Sequence, residues 1–70
     1  MRTITKEREA AALTRFGLGS ASRIHPARIG QIERGMAMPY PVELERLAAA
    51  LSWTGDPADL LKDDADESPA

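Results

Sequence analysis

The sequence predicts an all-α fold, a compact bundle of five helices, and three observations point to it. Nowhere do β-branched or aromatic residues alternate over the length of a strand. Apolar residues recur instead at separations of three and four, the spacing of a single helix face. Several of these runs also carry their own punctuation, with a capping side chain or proline before them and, for one, a glycine after.

Lys6 to Ala12 is rich in helix formers and predicts a first helix, with Thr5 as its cap and Ile4 as an apolar residue before it. Thr14 suits the cap of a second helix running to about Ala21, with Leu18 turned inward. Gly17 and Gly19 each weaken that helix by about 1 kcal/mol relative to alanine. A missing side chain lets a neighbour approach closely, and this is the role expected of Gly19. The third helix is bounded on both sides within H-P-A-R-I-G-Q-I-E-R-G. His25 occupies the N-cap position, Pro26 suits the first helical position, and Gly35 suits the left-handed residue that closes a helix. Ile29 and Ile32 share its buried face. Ala27, Gln31 and Arg34 fall opposite, with Gly30 beside them and Arg28 on a flank. Prolines mark M-A-M-P-Y-P as a loop, and Pro41 opens a fourth helix whose Leu44, Leu47, Ala48 and Leu51 form a core-facing stripe. Asp56, Pro57 and Asp59 then resemble a capping box and start a fifth helix containing Leu60 and Leu61.

Seventy residues allow one domain with a modest core, and so small a domain is often stabilised by oligomerisation. The absence of cysteine removes disulfides, thiolate nucleophiles and thiolate metal sites. No run is apolar enough for a membrane span, and the first residues lack a signal-peptide h-region, so a cytoplasmic location without membrane contact is expected. Charge is unevenly distributed. Met1 to Thr54 carries eight Lys/Arg against five Asp/Glu, whereas Gly55 to Ala70 carries Lys62 against six acids. The expected organisation is a folded domain over 1–62 and an acidic, disordered tail over 63–70. That tail serves solubility or competes with phosphate for the basic face.

Two short helices joined by a tight turn, Thr14 to Ala21 and Pro26 to Arg34, with a polar outward face on the second, form the pattern of a helix-turn-helix. From about Arg8 to Leu61 the chain resembles the Xre, or Cro/phage-repressor-type, helix-turn-helix proteins. The likeness is carried by Arg8, Leu13, Thr14, Leu18, Gly19, Ile24, I-x-x-I-E-x-G at Ile29 to Gly35, Pro39, and L-x-x-L-A-x-A-L at Leu44 to Leu51. The resemblance implies a lambda-repressor-like DNA-binding domain in which Arg15 contacts a phosphate and Ala27 and Gln31 face base edges. It also implies a structural ion pair between Arg8 and Glu33. Glutamine can make two hydrogen bonds to adenine, and alanine can meet a thymine methyl. Arg28 and Arg34 are expected at phosphates, with Arg23 and His25 at phosphates or flanks. The chain departs from the family pattern in three places. Arg23 stands where a glycine is common in the turn, so it either adopts an unusual φ or turns differently. Glu7 stands where an apolar residue is common, and Pro26 and Ala27 stand where many relatives carry base-reading polar side chains. A thin base-reading set leaves room for readout of DNA shape.

The function expected is therefore that of a sequence-specific regulator of transcription, a repressor binding double-stranded DNA as a homodimer. The dimer surface is expected near Trp53, Leu60 and Leu61, unless these residues simply close the core. The alternative is an antitoxin-like or adaptor module that uses the same fold to bind a protein partner such as a toxin. An enzyme is not expected, since the single histidine is explained as a cap and has no nucleophile or ligand cluster around it. No metal or other cofactor is implied.

Overall fold

Thr3, Ile4 and the residues after them form the first helix, α1 (Thr3–Ala10), in a computed structural model that describes residues 1–63. The helix begins earlier than the expected Lys6, and its N-cap is Arg2, without a side-chain cap. The reason lies in packing. Ile4 is fully buried, and the Thr3 amide donates to the Lys62 carbonyl at 2.8 Å, so the far end of the chain holds this start in place. The helix also stops before Ala12, which takes a left-handed φ of 58°. The domain closes on itself here, with an isolated bridge between Arg2 and Asp63 and an ion pair of 2.9 Å from the Met1 amino group to Asp63. Of the expected tail, residues 64–70 lie outside the described residues.

Helix α2 (Arg15–Ser22) follows its predicted cap, with the Thr14 hydroxyl accepting from the Gly17 amide at 3.0 Å. Leu18 is buried, and Gly19 serves the close approach expected of it. A Cβ there would lie 2.6 Å from the Ile24 carbonyl oxygen and 3.3 Å from the Pro26 ring, so the turn into the next helix leaves no space for a side chain. Arg23 resolves the turn by adopting the left-handed conformation, φ 62° and ψ 37°.

Helix α3 (Pro26–Glu33) is capped by His25, and Gly35 beyond it has φ +76°, the conformation that favours glycine at a helix end. Helix α4 (Pro41–Ala50) buries Leu47 and Ala48, with Leu51 packed against them. The last element, Pro57–Leu61, is a 3₁₀ helix rather than an α-helix, capped by Asp56 through the Ala58 amide at 3.0 Å. The architecture of the described residues is thus four α-helices and one 3₁₀ turn, without strands. One core of Ile4, Leu18, Ile24, Ile29, Ile32, Leu47, Ala48 and Leu60 draws on every element. Leu60 lies within this core and Trp53 and Leu61 pack partly buried against it, so folding takes up part of the apolar surface expected there for dimerisation. The chain ends carry the reason. The 3₁₀ helix packs on both α1 and α4, which makes its leucines the floor of the core.

Candidate nucleic-acid interface

Helix α3 is mounted from behind by two means, the first being apolar. Ile29 and Ile32 are fully buried. The second is ionic. Glu33, whose side chain is 2% exposed, accepts from Arg8 Nε at 2.7 Å, from Arg8 Nη2 at 3.4 Å and from Arg15 Nε at 3.0 Å. Arg8 also donates from Nη1 to the Leu13 carbonyl at 2.9 Å. A carboxylate withdrawn from water needs charged and hydrogen-bonded partners to offset its desolvation, and the two guanidiniums supply them. Because Arg8, Arg15 and Glu33 stand on different helices, one carboxylate ties α1, α2 and α3 together.

The outer side of α3 differs in kind. Ala27, Gln31 and Arg34 are exposed, as are Arg23 and His25 at its entrance. His25 Nδ1 accepts from the Ala27 amide at 3.0 Å, so this ring nitrogen caps the helix while the rest of the imidazole faces solvent. Gly30, expected beside the outward face, is buried under the side chains of Arg15 and Arg34, each about 3.7 Å from where a Cβ would stand. The two cationic side chains lie over the helix there at ordinary van der Waals distance. Arg15 keeps 45% of its side chain exposed although Glu33 holds its Nε.

Arg28 departs from the expected phosphate-facing role. Its Nε and Nη2 each lie 2.8 Å from a carboxylate oxygen of Glu43 on α4, a two-pronged pair, and Nη2 also reaches the Met38 carbonyl at 3.5 Å. Its guanidinium stands 5.5 Å from the centre of the Tyr40 ring. Glu43 also accepts from the Tyr40 amide at 2.8 Å, which fixes the start of α4. The hydrogen bonds from Arg28 hold the Glu43 carboxyl down at about 2, against the opposing effect of burial, and the same pair raises the Arg28 pKa. Arg28 is therefore a clamp between α3 and α4. Its partner lies fifteen residues away and on another element, a separation at which no periodic pattern marks a pair.

Exposed apolar side chains form a feature that the sequence reading did not single out. Phe16 on α2, Met36, Met38 and Tyr40 between α3 and α4, and Val42 in the first turn of α4 are all largely in solvent. Among the described residues, no group of three His, Cys, Asp or Glu side chains could hold a metal ion, and no helix is long and apolar enough to cross a membrane. No protein-family model, curated protein or solved structure matches this chain.

Proposed function

We propose that this chain is a sequence-specific regulator of transcription that binds double-stranded DNA, with α2 and α3 as a helix-turn-helix and α3 as its reading helix. The observation that carries this reading is the division of α3 into a locked back, Ile29, Ile32 and Glu33, and an exposed front, Ala27 and Gln31, continued by Arg34 at its C-cap. Core packing has no use for that front. In the major groove, Gln31 offers a donor and an acceptor to one adenine, and Ala27 offers a methyl to a thymine. Arg15, Arg23 and Arg34 neutralise phosphates and set the register of the helix. With Arg28 committed to Glu43, the phosphate set is three arginines per copy. Two copies on a palindromic site double the surface read, and occupancy of that site gives repression.

Duplex affinity measured against salt tests this reading. The logarithm of the binding constant should fall against the logarithm of salt with a slope of about −3 per copy, and Arg34→Ala should remove about one unit of it. Binding that is absent, or indifferent to salt, would favour the second reading, a protein-interaction module. The exposed Met36, Met38 and Tyr40 are the observation on its side.

A further inference from the structure

Residues 36 to 40 alternate between the core and the solvent. Ala37 packs against the core and Pro39 is buried, which turns Met36, Met38 and Tyr40 outward, followed by Val42 in the first turn of α4. Met36 and Met38 are 74% exposed, Tyr40 67% and Val42 55%. The segment that carries them is held firmly. Arg28 binds the Met38 carbonyl and lies against the Tyr40 ring, and Glu43 binds the Tyr40 amide. An apolar stripe on a braced segment is a preformed surface rather than a loose loop.

We infer that this stripe is the contact through which two copies of the chain associate. Residues 64–70, D-A-D-E-S-P-A, contain no large apolar side chain with which to cover it. A second copy brings an identical stripe, and a two-fold contact requires only that a surface complement itself. At roughly 200 Å² for each large side chain, the four expose about 500 Å² per copy, so pairing removes about 1,000 Å² in total, the lower bound of a specific interface. Charge fits as well. Glu45 and Arg46 are exposed on the same side of α4 as Val42, three and four residues further on, so antiparallel α4 helices set each glutamate near the other copy's arginine. Methionine adapts its shape to such a contact at little cost. The surface adjoins α3 through Arg28, so pairing places two reading helices on one assembly. In that respect the inference rests on the dimeric reading above, and the test below uses no DNA, so the two can fail separately.

The full-length chain is followed by sedimentation equilibrium from micromolar to millimolar concentration, with the methionine methyl signals recorded by NMR over the same range. The inference expects a monomer–dimer equilibrium in the micromolar range, with the Met36 and Met38 methyl signals shifting as dimer forms. Met38→Glu should weaken association about tenfold or more, by placing a charge in each half of the contact. At concentrations below the dimerisation range its melting curve should match the parent's, because the side chain is outside the core. A parent chain that stays monomeric throughout would overturn the inference, as would a Met38→Glu variant that associates like the parent. Methionine signals that remain fixed while dimer forms would place the contact elsewhere and overturn it too.

Discussion

Among the described residues, Glu33 and Glu43 are the two carboxylates taken out of water, and each is matched by arginine from another helix. Their partners make them structural, and the consequences differ. Glu33→Ala leaves the guanidinium of Arg8, which is also largely buried, without its carboxylate, and the expected loss is about 3 kcal/mol of folding stability. Chemical denaturation measures this directly, and an unchanged midpoint would contradict the account of the Arg8–Glu33–Arg15 cluster. Glu43 answers to pH. Its carboxyl is held at about 2 in the fold against an ordinary 4.5, so its contribution is complete above about 4.5 and is lost as pH falls toward 2. Stability should therefore decline across that window by up to about 1.4 kcal/mol per pH unit from this group, and Glu43→Gln should flatten the decline. Equal slopes for the parent and the variant would rule out the Arg28–Glu43 clamp as its source.

Helix ends show where sequence and structure part. The start of α3 was legible in His25-Pro26 and its stop in Gly35, because cap chemistry is local and these residues have few other uses. Thr14 and Asp56 were legible for the same reason. The start of α1 was not, since Thr3 and Ile4 are drawn into the helix by Lys62, 59 residues away, and by a core that later elements complete. The last element carries helix signals in Asp56-Pro57-Ala58-Asp59, yet five residues under the core complete only a 3₁₀ turn. Within the candidate site, the exposure of Ala27, Gln31 and Arg34 followed from the 100° step of the helix, whereas the diversion of Arg28 to Glu43 depended on how α4 folds back. Arg23 joins α2 to α3 in a conformation that costs an L-residue roughly 1 kcal/mol. Arg23→Gly should consequently raise the melting temperature by a few degrees while lowering duplex affinity through the lost cation. A lower melting temperature would show that the side chain contributes more to the turn than its strain removes.

At the scale of the whole molecule, the core and the proposed reading face occupy opposite sides of α3. The core draws on apolar side chains from all five elements, with Leu60 buried in it and Trp53 and Leu61 partly buried against it. What remains outside is a polar and cationic front on α3 and, beside it, the apolar stripe from Met36 to Val42. A net charge of −2 for the whole chain conceals this arrangement, because six of its eleven acids follow Thr54 while the cations on and around α3 precede it. The central claim is that the front of α3 reads bases. Selection of bound duplexes from a random pool, performed in parallel with the parent chain and with Gln31→Ala, tests it most directly. The account predicts an enriched palindrome for the parent, with preference relaxed in the variant at one position of each half-site, by about 1 to 3 kcal/mol. No enrichment at low salt, or an identical motif from the variant, would contradict it.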